Sequence, residues 1–195
     1  MATTDVDICN RALSRLGTRA TIQALDENST EARTVSIWYA ATRDTLLRAH
    51  DWNFARRRVL LAEQDAAPAG WAFRYALPTG CIRLLRITAA NSADSARFEV
   101  AGDSASRFVL CDEPAAEAVY TARVDDPNLY DAGFSTALVD QLAAHIAYPI
   151  TQKTDTAVRL AQMARAALSE AMASDVNEAA PGPGDRLPDW ITARS

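Results

Sequence analysis

Two histidines, three cysteines and two pairs of adjacent carboxylates are the residues of this 195-residue chain best suited to chemistry. Neither His50 nor His145 has a cysteine or a second histidine at metal-ligand spacing, so each reads as a hydrogen-bonded structural histidine. Cys9, Cys81 and Cys111 form an odd, scattered set and read as small buried hydrophobes in a reducing compartment. Asp112-Glu113 and Asp125-Asp126 could serve a two-carboxylate hydrolase, because carboxyls from distant segments can converge on one bond. Both pairs come just before a proline at an expected strand end, where solvated turn carboxylates are the ordinary finding. The sequence holds no GxSxG, no HExxH and no glycine-rich loop followed by lysine and serine or threonine. Gly182 and Gly184 lie among prolines and open no helix. The expectation is no enzyme: no catalytic residue, no metal and no cofactor.

The basic residues concentrate in one place. Arg56-Arg57-Arg58 follows Arg43 and Arg48, with Trp52 and Phe54 between them. Contact with DNA or phosphate is one reading, and the aromatics could then stack on single-stranded bases. The other reading is a solvated or interface surface whose guanidiniums pair with carboxylates, and the nearby Glu63 and Asp65 favour it. Net charge is −5 with both signs mixed along the chain, whereas proteins that grip DNA by counterion release are usually basic. DNA gripping is therefore not expected to be the main task.

These residues must be positioned by helices at both ends and strands between. Thr4 can cap a first helix, with Asp7 completing a capping box, and Val6, Cys9, Leu13 and Leu16 fall at helical spacing before Gly17. Asn28 or Ser29 can cap a second helix running to about Ala49, with Val35, Trp38/Tyr39, Thr42 and Leu46 as its buried stripe. Trp71, Phe73, Tyr75 and Leu77 alternate like a half-buried strand ending at Pro78. Ile82 to Ile87 is a second strand. Phe98–Val100 and Phe108–Leu110 flank a turn through Ala101-Gly102-Asp103, and Ala118, Tyr120, Ala122 and Val124 alternate again. Residues 71–125 thus read as a small antiparallel sheet. Phe134, Leu138, Leu142 and Ile146 mark a third helix that Pro149 ends or kinks. Leu160, Met163/Ala164, Ala167/Leu168 and Ala171 mark a fourth, capped by Thr154, whose alanines let a neighbour approach closely.

The fold class expected is α+β: an antiparallel helical bundle (1–55 and 126–176), a β-rich insertion (56–125) and a flexible C-terminal arm (177–195). Trp52 and Phe54 are expected to bury at the junction of the second helix and the insertion, packing on Trp71 or Tyr75. No apolar run approaches membrane-spanning length, and the start, Met1-Ala2-Thr3-Thr4-Asp5, has neither a basic nor an apolar signal segment. No membrane partner is expected.

Four stretches together carry a resemblance. Leu47-Arg48-Ala49-His50-Asp51-Trp52-Asn53-Phe54-Ala55-Arg56-Arg57-Arg58-Val59-Leu60-Leu61-Ala62 contains a helix end, then His-x-Trp-Asn-Phe-Ala, then arginines. Gly70-Trp71-Ala72-Phe73-Arg74-Tyr75-Ala76-Leu77-Pro78 is an aromatic strand ending in proline. Val119-Tyr120-Thr121-Ala122-Arg123-Val124 runs into Asp125-Asp126-Pro127, and Ile8-Cys9-Asn10-Arg11-Ala12-Leu13 leads to Leu16-Gly17. In this order they resemble the head-to-tail adaptor, or tail tubular protein A, family of short-tailed phages and their relatives, over roughly residues 3–175. The resemblance implies a structural virion protein at the head-tail connector, resident in the host cytoplasm before assembly. It implies a ring of twelve copies that docks on the portal protein, receives the tail nozzle or tail tube, and leaves a channel for DNA without sequence-specific binding. An overall acidic protein suits that passage, since like charges keep the duplex from sticking. His50, Trp52, Asn53 and Phe54 are the family's structural motif, and Arg56, Arg57 and Arg58 a possible interface.

The last segment departs from a purely solvated tail. Pro181, Pro183 and Pro188 block regular structure, yet Leu187, Trp190 and Ile191 are apolar. A flexible linker with a tryptophan anchor can capture a groove, so these three are the expected portal-binding residues. Two competing readings are a virion-carried peptidoglycan or glycan hydrolase using the paired carboxylates, and a small nucleic-acid-binding assembly factor using the arginines.

Overall fold

Local signals at the helix starts are realised residue by residue in the computed structural model, which describes residues 3–64, 67–89 and 94–178. The Thr4 hydroxyl accepts from the Asp7 amide while the Asp7 carboxylate accepts from the Thr4 amide, a complete capping box at the head of α1 (Asp5–Arg15). These bonds hold the Asp7 carboxyl below its ordinary range. Gly17, at φ +76°, supplies the left-handed residue that turns the chain out of the helix. Ser29 caps α2 (Thr30–Ala49) through the Ala32 amide. Asp131 caps α3 (Ala132–Thr151) through the amides of Gly133 and Phe134. Pro149 does not end α3, which runs on to Thr151 and stops at Gln152 in the left-handed region. The fourth helix, α4 (Thr154–Glu178), continues past Val176, so Asn177 and Glu178 belong to it.

The stripes read from the sequence are the ones that bury. Val35, Tyr39, Thr42 and Leu46 on α2, and Phe134, Leu138, Leu142 and Ile146 on α3, are all inside. Trp38 and Met163 are exceptions and stay substantially exposed. Helix α3 is the centre, packing on α1, α2 and α4. Its approach to α4 is close at Gly133, where an added Cβ would stand 3.2 Å from the Ala171 Cβ. The small residues on α4 permit that approach.

Among the described residues the strands form two sheets rather than one. The larger has the order β1 (Arg56–Leu60), β7 (Glu117–Ala122), β3 (Cys81–Thr88), β4 (Ser95–Ala96). The smaller has the order β2 (Phe73–Ala76), β6 (Arg107–Cys111), β5 (Phe98–Gly102). All neighbours within both sheets run antiparallel. After β1 the chain crosses over: the Leu61 amide still donates to Ala116, but the Gln64 amide donates to Arg74 beside β2. Leu61, Tyr75, Ile87, Val109, Cys111, Ala116 and Ala118 form the small core between the sheets. The fold is α+β, a helical body carrying a two-sheet β lobe.

Two expectations about the aromatics need correction. Trp52 is fully buried, but it packs on Phe134 in the helical core, with centroids 5.1 Å apart and edge to face, not on Trp71 or Tyr75. Phe54 is only partly buried and meets Phe134 at 5.0 Å and Tyr130 at 5.9 Å. The reason is topological: the 3-10 turn Asn53–Ala55 keeps the chain on the bundle before β1 departs. Tyr75 instead lies in the β-lobe core, and Trp71 lies under the guanidinium of Arg97 at 4.2 Å.

Candidate functional site

The sharpest cluster of polar side chains lies where α2 ends, β1 begins and α4 terminates. His50 is the residue that ends α2, in extended conformation. Its Nε2 lies 2.9 Å from Oδ2 of Asp175 on α4. The other Asp175 oxygen accepts from the Asn53 amide at 3.0 Å, and the Asn53 side-chain nitrogen donates to the Asp175 carbonyl at 2.8 Å. Asp175 is 5% exposed, so its charge is compensated inside the protein rather than by water. Between the two polar residues, Trp52 enters the core and its Nε1 donates to the Leu46 carbonyl at 2.8 Å. His50 stands edge-on against the same indole at 4.9 Å. Thus His50, Trp52 and Asn53 act as a latch that ties the last turns of α4 to the exit of α2.

The arginines behind this latch have separate duties. Arg56 makes a two-pronged contact with Asp51, at 3.0 and 2.9 Å. Arg58 reaches Glu117 across the β1–β7 pair at 3.2 Å. Arg57 folds onto the carbonyls of Phe54 and Arg56. The carboxylates that pair are therefore Asp51 and Glu117; Glu63 bridges to Tyr75 through the backbone, and Asp65 lies outside the described residues. Arg43, grouped with the triple by sequence, is buried elsewhere, between Asp44 and Asp125 at 2.9 and 2.6 Å. Arg48 donates to the Ile82 carbonyl and Arg83 to the Arg48 carbonyl, which brings β3 arginines beside the sequence cluster.

Other residues singled out by type are occupied structurally. His145 lies 3.0 Å from the Thr42 hydroxyl and against the Trp38 ring, and burial pushes its pKa below the ordinary histidine value. Burial pushes the Cys9 thiol up to about 12 and raises those of Cys81 and Cys111, so all three are held as thiols rather than reactive thiolates. Asp112 accepts from the Ala72 amide, Asp125 pairs with Arg43, and Asp126 accepts from Asn128. Among the described residues no group of histidine, cysteine and carboxylates is arranged to hold a metal ion. No described helix is long and apolar enough to cross a membrane. Leu187, Trp190 and Ile191, the expected portal anchor, lie outside the described residues.

Sequence reasoning missed Asp175. Its signal was available: it stands four residues after Ala171 and continues the buried stripe of α4. A carboxylate on a buried stripe calls for a partner. Asn10 is a similar case, since its side chain accepts from the Ile22 amide and donates to the Ile22 carbonyl, pinning the loop after α1. No protein-family model matches this chain, and no curated protein matches it.

Proposed function

We propose that this chain is a structural subunit of a phage head-to-tail adaptor ring, placed between the portal and the tail, with DNA passing through the ring. The observation that carries the reading is the His50–Asn53–Asp175 latch around buried Trp52. The segment that most resembles the adaptor family is the one that joins helical body to β lobe. Its polar groups are satisfied by each other, as a structural joint requires and as a substrate site would not. The other quoted landmarks are built in the same way: Asn10 pins a loop, and Val119–Ala122 lies in the central strand β7 between β1 and β3.

A cyclic ring of one kind of subunit needs two different complementary faces on each copy. The test is electron microscopy of the purified protein mixed with the portal from the same phage genome. A closed ring capping the portal is the expected result. A stable two-fold dimer that never converts to a ring with portal present would remove the proposal. Leu187, Trp190 and Ile191 are proposed as the portal anchor, and deletion of 186–195 should weaken docking at least tenfold, or ~1.4 kcal/mol. Peptidoglycan zymography addresses the hydrolase reading, which predicts clearing that is lost when one carboxylate is replaced.

A further inference from the structure

The fold assembles an arginine face that the sequence does not display. In the larger sheet Arg56 on β1 pairs through Thr121 on β7 with Arg83 on β3, and Arg58 pairs through Val119 with Arg86. Residues opposite one another in an antiparallel ladder share a face, so these four arginines point to one side. Arg57 belongs to the other side with Tyr120 and Leu84. Arg56, Arg83 and Arg86 line one hollow together with Asp51, Leu85 and Val119. All four arginines are exposed. Among the described residues Asp51 pairs with Arg56 and Glu117 with Arg58. Arg48 adds a fifth guanidinium at the margin, next to Arg83. A chain of net charge −5 therefore carries one locally positive sheet face.

We infer that this face binds the phosphate backbone of nucleic acid, without reading its sequence. Geometry supports a polyanion: successive same-face residues on one strand stand about 7 Å apart and β1 and β3 about 10 Å apart, so several phosphates can be met at once. Composition favours nucleic acid over an acidic protein. Protein interfaces are enriched in aromatic anchors, and this hollow is lined by Leu85, Val119 and charged residues with no aromatic side chain. Interfaces with nucleic acid are polar and strongly positive. The acidic remainder of the molecule does not cancel the face, because at physiological salt charges beyond about 8 Å are largely screened. The face stands on its own geometry and goes beyond the adaptor reading. If both hold, it supplies a weak, salt-sensitive contact to DNA in transit.

The experiment is fluorescence anisotropy of a short labelled duplex DNA titrated with the full-length protein across a salt series. Binding should be detectable at low salt and weaken steeply as salt rises. Arg83→Gln with Arg86→Gln should weaken it by on the order of tenfold and lower the slope of log K against log salt by about 2, near 0.9 per lost phosphate contact. Both side chains are exposed, and circular dichroism of the double variant should match the parent. Arg165→Glu, on exposed α4, should leave binding within about twofold, a small effect on the scale where tenfold is 1.4 kcal/mol. Absence of binding at low salt overturns the inference, as does equal loss in R165E, which would mean nonspecific charge attraction. Competition by polyglutamate as effective, charge for charge, as DNA would assign the face to an acidic protein instead. Salt-sensitive self-association that disappears in the R83Q/R86Q variant, without DNA binding, would assign it to a second copy. Ring formation on the portal is scored separately with the same variant, so failure of one proposal does not carry the other with it.

Discussion

The helical body and the β lobe are stabilised by very different amounts of buried apolar surface. Among the described residues, twenty-four buried ones form the core of the body, including Trp52, Phe134, Leu138 and Ile146. Seven form the core of the lobe, three of them alanine or cysteine. Burial contributes roughly 25 cal/mol per Å² of apolar surface, so the body should dominate global stability. The lobe compensates with polar links at its surface. Arg74 lies 3.8 Å over the Phe108 ring and pairs with Asp103 at 2.7 Å. The Asp103 carboxyl is held at about 2, chiefly by the Ser106 and Ala105 amides in the β5–β6 turn and then by Arg74. The body is thus held by apolar burial, while the lobe adds polar staples to a small core.

Trp52→Ala should break this contrast most severely. Trp52 is fully buried between Phe134, Phe54 and His50, so truncation leaves a cavity at the centre of the body. The expected loss is about 3–5 kcal/mol in urea unfolding. A loss under about 1 kcal/mol would mean the body does not depend on this anchor.

Ile87→Ala probes the lobe. Ile87 is fully buried between the sheets, and its truncation should cost about 2–4 kcal/mol. The effect should be local. Hydrogen exchange should accelerate in β2, β3, β5 and β6 while the amides of α3 keep their protection. Uniform acceleration through α3 would show that body and lobe unfold as one unit, and the comparison would collapse.

How much of this was legible depended on the range of the interaction. The Thr4–Asp7 box, the Ser29 cap and the stripes of α2 and α3 are encoded within a few residues, and the sequence displays them. Strand β1 is different. Its five residues are all exposed, so it shows no alternation, and only pairing with β7 makes it a strand. The division into two sheets turns on the crossing at Leu61–Gln64, where nothing local marks the change of partner. The partners of Trp52 and Asn53 come from α3 and α4, far along the chain. Asp175 lies on the buried stripe of α4, which marks it as a carboxylate in need of a partner, but nothing local says that the partners are His50 and Asn53.

Asp175→Ala tests the latch that ties α4 to the exit of α2. It removes the acceptors for the Asn53 amide and His50, leaving a part-buried donor unsatisfied. The expected loss is about 1–3 kcal/mol. The Asn53 amide and the last turns of α4 should exchange faster, with the Trp52 environment kept. Unchanged exchange there would mean that α4 and the exit of α2 are held together by other contacts.

The smallest effect expected concerns pH and lies in the body alone. Burial lowers the His145 pKa below 6.5, its ordinary value, so the neutral ring is favoured in the folded state. The ring touches Thr42, Gln141 and Trp38, none of which offers a compensating negative charge. The unfolded chain therefore binds a proton before the folded protein does. Stability rises with pH wherever the unfolded state binds more protons. The contribution of His145 is complete above 6.5 and is lost as pH falls from there through the lower folded-state value. His145→Gln should flatten this part of the stability profile, measured by urea unfolding at a series of pH values, while the slope belonging to the carboxylates persists at lower pH. Because the ring is only partly buried, solvent screening keeps the change small. A parent and variant with the same pH dependence across that window would show that the folded protein accepts the proton as readily as the unfolded chain.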